Sequence, residues 1–313
     1  MEDTKIRNVQ MITIDNLTKI YSAKERAAVD DLTLEIKDGE ILGFVGLNGA
    51  GKSTTIRIAA GVTLPTSGDV LVDGKSITKE KTDASRQIGW VPELPNFEMN
   101  AKPVPLLRYF AGYYGMTKAQ ENEHIEELLK QVGLWDHRNK KLRAYSQGMK
   151  KRFSLAESLI GDPNNLMFDE TLNGLDPEGV QFVRNLIIDQ KKKGKAVLLS
   201  SHILSEIEAL SDRIAIIHHG KLIKVLDRKE LNELGRERIA IEIDNLDDKS
   251  LAIVSKYGDV KNTSDGISVT SLRVDKKDYP NILQELVQAG YKVRKFEPSG
   301  ESLEEYFFNA ISE

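Results

Sequence analysis

Apolar and polar residues alternate along the first part of the chain. In Met11-Ile-Thr-Ile-Asp15 and Leu32-Thr-Leu-Glu-Ile36, every second side chain is apolar, which predicts two strands with one buried face each. The continuous apolar run Ile41–Val45 predicts a strand that is buried on both faces. A glycine-rich segment follows, and Thr54–Ala60 then predicts a helix because it contains no helix breaker. This order of elements predicts strands followed by a strand–loop–helix unit.

Helical spacing dominates from about Leu94 to Ile160. Apolar residues recur at three- and four-residue intervals over Leu106–Tyr114 and His124–Val132, and Lys150–Ile160 predicts a further amphipathic helix. Strand and helix patterns then alternate again, over Leu166–Phe168, Val180–Lys192, Ala196–Leu199 and Ile214–Ile217. The alternation predicts a largely parallel sheet covered by helices, with a helical insertion between its two halves.

A charged stretch, Asp227–Arg238, precedes a smaller region at the end of the chain. Strands are predicted at Ile239–Ile243, Ile267–Val274 and Lys292–Phe296, and helices at Lys249–Lys256, Tyr279–Ala289 and Leu303–Ile311. The region contains no glycine-rich loop and no catalytic pattern. It is therefore predicted to be a small α/β domain with a regulatory or interaction role.

Composition excludes several classes of protein. The 313 residues suffice for two domains, and no apolar run reaches the roughly 18 residues that a membrane-spanning helix needs. The first residues lack the apolar core of a signal peptide, so none is expected. The absence of cysteine excludes disulfides and suits a cytoplasmic protein. A formal net charge of −4 argues against nucleic acid as the main partner.

The glycine-rich segment carries the first chemical motif. Gly46–Thr54 matches the phosphate-binding loop G-x-x-x-x-G-K-[ST], between a predicted buried strand and a predicted helix. The glycines let successive N–H groups turn toward phosphates, Lys52 adds a positive charge, and the Ser53 hydroxyl suits Mg²⁺. A chance match is the alternative, but the flanking strand and helix argue against it. The predicted nucleoside triphosphate site consists of Gly46, Asn48, Gly49, Ala50, Gly51, Lys52, Ser53 and Thr54.

Two further motifs follow in the chain. A predicted apolar strand ends in Asp169 and Glu170, and these carboxylates are predicted to hold Mg²⁺ and to orient or deprotonate water, respectively. The segment Tyr145–Met149 precedes a predicted helix, where Ser146 supplies a hydroxyl and Gly148 lets the backbone approach an anion. Taken alone, the two segments could be an acidic loop and a helix N-cap. Beside a phosphate loop, the functional interpretation is favoured.

In this order, the motifs resemble those of the ABC ATPase cassette. The resemblance covers roughly residues 11–230. The phosphate loop resembles Walker A, Leu166–Glu170 resembles Walker B with its catalytic glutamate, and Tyr145–Met149 is similar to the signature sequence Leu-Ser-Gly-Gly-Gln, with several positions changed. A lone phosphate loop occurs in many ATPases, whereas the ordered set is specific to this family.

Three smaller matches extend the resemblance. Gly174-Leu-Asp176 is similar to the D-loop of the family, and Ser201-His202 is similar to its switch histidine. Tyr21 corresponds to the aromatic residue that stacks on adenine. The resemblance implies that His202 contacts the γ-phosphate and positions the water, and that Asp176 links the two sites of a dimer.

The resemblance also implies a homodimer in which two cassettes pack head to tail. Each ATP would lie between the Walker A motif of one copy and the signature of the other. Ser146 and Gly148 would then contact the γ-phosphate that is bound by Lys52 of the second copy. Because the chain carries one motif of each kind, a dimer is expected to be required for catalysis.

The expected fold class is α/β. It comprises a phosphate-loop ABC ATPase cassette over residues 1–232, with a RecA-like core, N-terminal antiparallel strands and a helical subdomain at about 94–160. A small α/β accessory domain is expected over residues 238–313.

The chain departs from the family pattern at several positions. Glu93 stands where the family usually has Gln, and a carboxylate there can still bind Mg²⁺ but cannot donate a hydrogen bond. Thr171 replaces the usual Pro after the catalytic Glu, and Leu172 stands where Thr is common. Little consequence is expected from the last two changes.

The signature, Glu93 and the ending Ser302–Phe308 resemble the ATPase subunits of bacterial and archaeal exporters whose permease is a separate polypeptide. A peripheral position on the cytoplasmic face of the cell membrane follows from this resemblance. The segment Leu94–Arg143 is expected to receive a coupling helix of the permease, with candidate contacts between Phe97 and Tyr109. Two alternatives remain open: a soluble ABC ATPase that is not tied to transport, and a nucleotide-responsive binding module with little hydrolysis.

Overall fold

Three sheets organise the part of the chain that the computed structural model describes, which is residues 11–22, 26–234, 238–244, 247–262, 268–272, 278–298 and 302–312. The strands are β1 Met11–Lys19, β2 Val29–Lys37, β3 Ile41–Val45, β4 Ser67–Val72, β5 Lys75–Ser76, β6 Ile88–Val91, β7 Asn165–Asp169, β8 Ala196–Ser200, β9 Arg213–His218, β10 Lys221–Asp227, β11 Arg238–Ile243, β12 Asp259–Asn262, β13 Ser268–Leu272 and β14 Val293–Pro298. The helices are α1 Lys52–Ala59, α2 Lys81–Ser85, α3 Pro103–Ala111, α4 Lys118–Gln131, α5 Gln147–Ser158, α6 Pro177–Lys192, α7 Leu204–Leu210, α8 Arg228–Leu234, α9 Asp248–Ser255, α10 Tyr279–Gln288 and α11 Leu303–Ser312. The chain divides after Val225 into two units.

The first sheet is antiparallel, with the strand order β2-β1-β4-β5. Strand β1 continues beyond the predicted end at Asp15 because Asn16 adopts a left-handed φ of 45° at a shift in register. A Cβ atom on Gly68 would lie 2.3 Å from the Asn16 carbonyl oxygen, so this close approach requires glycine. Ser67 and Gly68 begin β4.

The second sheet has the order β10-β9-β3-β8-β7-β6. Strands β9, β3, β8, β7 and β6 pair in parallel, and every residue of β3, β7 and β8 is buried. This confirms the predicted strand that is buried on both faces. Because the strands are parallel, their carboxyl ends meet at one edge, where ligands of α/β proteins bind.

The helical segment begins later than its pattern predicts. No helix occupies residues 94–102, and α3 starts at Pro103. Pro95 and Pro103 account for the delay because a proline disfavours helical backbone in the residue before it. The short helices α2 and α7 and the strands β10 and β12 were not predicted from the sequence pattern. Strand β10 was missed because it is an edge strand with mostly exposed residues, so it shows little apolar periodicity.

The second unit is built on an antiparallel sheet in the order β12-β13-β11-β14. Its core consists of Ile239, Ile241, Ile243, Ile253, Val254, Ile282 and Leu286. Helix α8 packs against α11 and belongs to this unit, so the division lies earlier than the expected residue 232. The predicted strand at Ile267–Val274 lies partly outside the described residues. None of the described helices is both long and apolar enough to cross a bilayer.

Candidate active site

The phosphate loop connects β3 to α1 and lies against a cavity of about 510 Å³. Helix α1 begins at Lys52, so its N-terminal N–H groups face this cavity. Gly51 has a φ of 111°, and a Cβ atom there would lie 2.3 Å from the Ala28 carbonyl oxygen, so glycine is required. The cavity is lined by Ala28, Asn48, Gly49, Ala50, Gly51, Lys52, Ser53, Thr54, Glu93, Glu170, Asn173 and His202.

The Lys52 ammonium is buried at the base of the loop, with 6% of the residue exposed. Its Nζ donates to the carbonyl oxygen of Gly46 at 2.7 Å and lies 3.5 Å from Glu170 Oε1. These contacts offset the cost of burying the charge. They also hold the ammonium beside the cavity, where it can exchange a protein oxygen for a phosphate oxygen.

Asp169 ends β7 and is almost completely buried, with 1% exposed. Its Oδ1 accepts hydrogen bonds from Ser53 Oγ at 3.1 Å and Ser200 Oγ at 2.9 Å. Burial raises the pKa of Asp169, although these two hydroxyls favour its ionised form. No cationic side chain pairs with Asp169 among the residues with defined positions. A buried carboxylate beside a hydroxyl, without a cation, is the donor set that a divalent metal ion fits.

Glu170 follows Asp169 and is held by several hydrogen bonds. Its Oε2 accepts from Asn173 Nδ2 at 2.6 Å, from the His202 N–H at 3.1 Å and from His202 Nδ1 at 2.9 Å. Burial raises the pKa of this carboxyl, but the Asn173 bond, the Lys52 charge and His202 outweigh it and place the pKa below its usual value. Glu170 is therefore ionised at neutral pH.

Glu170 also has an unusual backbone conformation. Its φ is 49°, in the left-handed region that residues with a Cβ rarely adopt. The Glu170 N–H donates to the Ser200 carbonyl oxygen at 3.2 Å and lies 3.1 Å from Ser200 Oγ. Strain of this kind, roughly 1–3 kcal/mol, persists only where surrounding contacts hold it, and such residues cluster at functional sites.

The ring of His202 has a defined tautomer in this arrangement. Because Nδ1 lies 2.9 Å from a carboxylate oxygen, it carries the proton and donates to Glu170. The Asn173 Nδ2 group lies 3.1 Å from the same Nδ1, so this contact joins two donors that share one acceptor. Nε2 of a neutral ring is then left as an acceptor.

Three residues that contact this cluster or the turn after it were not predicted from the sequence. Asn173 binds Glu170, Ser200 binds Asp169, and Lys151 Nζ donates to the carbonyl oxygens of Thr171 at 3.2 Å and Asn173. The one available signal was the position of Asn173 in the short turn after Glu170. Ser200 and Lys151 meet the site only through the tertiary fold.

Six predicted site residues do not line the cavity: Tyr21, Gly46, Ser146, Gly148, Asp169 and Asp176. Ser146 is exposed and caps α5 by accepting from the Met149 N–H at 3.2 Å, and Asp176 caps α6 by accepting from Gly179 at 2.8 Å. No other atom lies within 4 Å of a Cβ atom placed on Gly148, so space is open beside it. Tyr21 is 56% exposed, with Lys19 Nζ 5.0 Å from its ring centroid.

Comparisons with known proteins agree with this site. A family model described as "ABC transporter" matches residues 29–173. The chain is 35% identical to the bacitracin transport ATP-binding protein BcrA of Bacillus licheniformis, over 96% of this chain and 97% of that protein. The chain belongs to the ABC transporter ATP-binding proteins.

This ABC ATPase has further relatives and structural neighbours. It is 32% identical to the Nod factor export ATP-binding protein I of Cupriavidus metallidurans, over 76% of this chain and 78% of that protein. A solved ATP-binding subunit of an ABC transporter superposes with a TM-score of 0.66 at 28% identity, covering 71% of this chain and 92% of the other. The resemblance to the ABC cassette and its α/β fold are thereby confirmed, as are ATP binding and the ATPase activity.

Proposed function

We propose that this ABC ATPase powers an exporter with a separately encoded permease, as a head-to-tail homodimer that holds two ATP molecules. The names of two relatives, which refer to bacitracin transport and Nod factor export, support the transport role. Both relatives match most of this chain. The protein would then lie at the cytoplasmic face of the membrane, bound to its permease.

The observation that carries the dimer is that the signature residues do not line the cavity of the phosphate loop. Ser146 and Gly148 do not line the cavity that holds Lys52, and both lie at the N-terminus of α5. The Ser146 side chain is exposed, and space is open beside Gly148. A helix N-terminus with these features can bind an anion that a second copy presents.

Within one copy, Glu170 is the proposed general base. Oε2 is occupied by three N–H donors, which leaves Oε1 to accept a proton. The Lys52 ammonium lies 3.5 Å from Oε1. When ATP phosphates attract Lys52, that contact weakens, and Oε1 becomes more basic at the moment it is needed. His202 and Asn173 keep the carboxylate oriented throughout.

Mg²⁺ is the proposed metal, and its ligand residues are Ser53, Asp169 and Glu93. All three offer oxygen atoms, as Mg²⁺ prefers, and Asp169 lacks a cationic partner in the described part of the chain. When bound, the ion would neutralise charge on the phosphates. The exposed Glu93 lines the same cavity as Ser53, which agrees with a ligand role.

Two predicted nucleotide contacts remain part of this proposal. Tyr21 is exposed and can stack on an adenine ring, with the Lys19 ammonium over the ring at 5.0 Å from its centroid. Asp176 would link the two sites of the dimer from the start of α6.

The helical subdomain is the proposed docking surface for the permease. Leu94 is 81% exposed, and Tyr109 and Tyr113 are 61% and 58% exposed. Phe97, in contrast, packs edge-on against Phe153 with ring centroids 5.0 Å apart. Leu94, Tyr109 and Tyr113 are therefore better contact candidates than Phe97, because exposed apolar patches favour protein interfaces.

The dimer is tested with Glu170→Gln, which keeps the shape of the side chain and removes the base. We expect ATP to convert this variant into a stable dimer of twice the 35.1 kDa chain mass in size-exclusion chromatography with light scattering. Hydrolysis should fall by about 10²–10⁴-fold, the usual contribution of a general base. Adding Ser146→Ala to the variant should abolish the dimer, because its proposed phosphate contact is lost.

Glu123→Gln is the matched control, because Glu123 is an exposed carboxylate of α4. It should hydrolyse ATP at the normal rate and form no lasting dimer. Wild-type hydrolysis by Glu170→Gln would rule out the base assignment. A Glu170→Gln variant that remains monomeric with ATP would rule out the head-to-tail dimer.

The transporter part of the proposal has its own test. A tagged chain isolated from gently solubilised native membranes should bring down a multi-spanning membrane protein in near-equal amount. Recovery of cytoplasmic proteins alone would favour a soluble ABC ATPase instead.

A further inference from the structure

Lys151 joins two functional segments of the cassette that are distant in sequence. It lies in α5, the helix that Ser146 caps, two residues after the signature segment Tyr145–Met149. Its Nζ donates to the carbonyl oxygens of Thr171, at 3.2 Å, and of Asn173. Both carbonyls belong to the turn that directly follows Glu170. One side chain therefore ties the signature helix to the turn that carries the proposed base.

The turn itself transmits this contact to Glu170. The Asn173 N–H donates to the Glu170 carbonyl oxygen at 3.2 Å, and the Asn173 side chain donates to Glu170 Oε2 at 2.6 Å. Moving the backbone of Asn173 would therefore move the carboxylate oxygen that also binds His202. The left-handed φ of 49° at Glu170 makes the turn depend on such outside contacts.

The surroundings lower the pKa of Lys151 below its ordinary value. Burial lowers the pKa of the Lys151 ammonium, while the carboxylates of Glu93 and Glu170 oppose this and favour the charged form. A charged donor binds carbonyl oxygens more strongly than a neutral one.

We propose that Lys151 is a positioning residue for ATP hydrolysis. It holds the turn from Glu170 to Asn173 so that Glu170 Oε1 faces the reacting water, and it makes this geometry depend on the placement of the signature helix. Lys151 itself does not touch the nucleotide. The inference rests on the proposed role of Glu170 as the base.

The test compares Lys151→Met with Lys151→Arg in the full chain. Methionine keeps the length and removes the donors, so we expect kcat to fall about tenfold or more, because small misplacements of a catalytic group have effects of this size. KM for ATP, and the Kd of a fluorescent ATP analogue, should change less than about twofold. Arginine retains charge and donors and should restore most of kcat. Lys192→Met, at a side chain that is 72% exposed, is the control and should leave kcat unchanged.

A double variant separates positioning from general damage. In a chain that already carries Glu170→Gln, Lys151→Met should not lower the residual rate further, because both changes act through one carboxylate. A further loss there, an unchanged kcat in Lys151→Met alone, or no rescue by arginine would overturn the inference. If Glu170→Gln alone retained wild-type activity, the proposed base would fall instead, so the two failures are distinguishable.

Discussion

The two units of the chain treat buried charge in opposite ways. The first unit buries ionisable side chains that are at most 9% exposed: Glu40, Lys52, Glu121, Asp169, Glu170 and Lys195. In the second unit, Ser250 is the one buried polar residue among those whose burial is defined. The ion pairs of the second unit, such as Lys256 with Glu285 at 2.7 Å, lie at the surface. Ionisable side chains, whose burial is energetically unfavourable, are therefore buried in the first unit.

Most of the buried charges in the first unit have a partner that offsets their burial. Glu40 pairs with Arg213 at 3.1 Å, and Lys195 pairs with Asp162 at 2.5 Å. Asp169 differs, because its bonds come from two hydroxyls and no cation is paired with it in the described part of the chain. An unpaired buried carboxylate is unfavourable unless a ligand completes it. This exception, more than burial itself, distinguishes the functional unit from the second one.

The largest expected effect comes from truncating a core side chain in each unit separately. Leu198→Ala in β8 and Ile241→Ala in β11 both truncate fully buried side chains and should each destabilise their own unit by about 2–5 kcal/mol. Calorimetry should show two unfolding transitions. ATP should raise the midpoint temperature only of the transition whose midpoint Leu198→Ala lowers, because a ligand stabilises the unit that binds it. Loss of ATP binding in folded Ile241→Ala would show that the second unit belongs to the nucleotide site.

A smaller effect is expected at Glu157, a further carboxyl of the first unit, in α5. Burial raises its pKa to about 7, from an ordinary 4.5. The folded chain therefore retains this proton between these two pH values, so stability falls as pH rises from 4.5 through 7 and stays lower above it. Glu157→Gln removes the ionisable group. Between pH 5 and pH 8, the free energy of unfolding of this variant should rise by about 1–3 kcal/mol relative to that of the wild type.

Denaturant unfolding at pH 5 and pH 8 measures this difference. Glu127→Gln, at an exposed carboxylate of α4, is the control and should show the same pH dependence as the wild type. A Glu157→Gln variant whose advantage does not grow with pH would mean that the folded chain keeps this carboxylate ionised at pH 5.

The smallest effect on stability is expected from two matched serine caps. Ser146 accepts from the Met149 N–H at the start of α5, and Ser302 accepts from the Glu305 N–H at the start of α11. Replacing either by alanine should lower the free energy of unfolding by roughly 0.5–2 kcal/mol. Turnover should separate them: Ser146→Ala should lose about 10²-fold if its hydroxyl binds the transferring phosphate, and Ser302→Ala should lose nothing. Equal turnover in steady-state assays would make Ser146 a cap alone.

Much of the fold could be predicted from the local pattern of apolar and polar residues. The run Ile41–Val45 forms β3 with the predicted bounds, because a continuous apolar run fits a strand that is buried on both faces. Prediction was poorer where periodicity is weak. Strand β10 is exposed at the edge of its sheet, and the non-helical stretch before Pro103 depends on prolines within a segment of helical composition.

What the sequence by itself determined is the chemistry of the site: the glycines, Lys52, Ser53 and the carboxylates of a nucleotide site are present in an order specific to the ABC family. Only the tertiary structure decided which of them meet. Ser53 and Asp169 are 116 positions apart, and Glu170 and His202 are 32 apart, yet each pair is within hydrogen-bond distance. The order of parallel strands brings their carboxyl ends together, and that order depends on long-range pairing that no local pattern encodes. The same reason hid Lys151 and Ser200, whose roles arise from contacts across the fold.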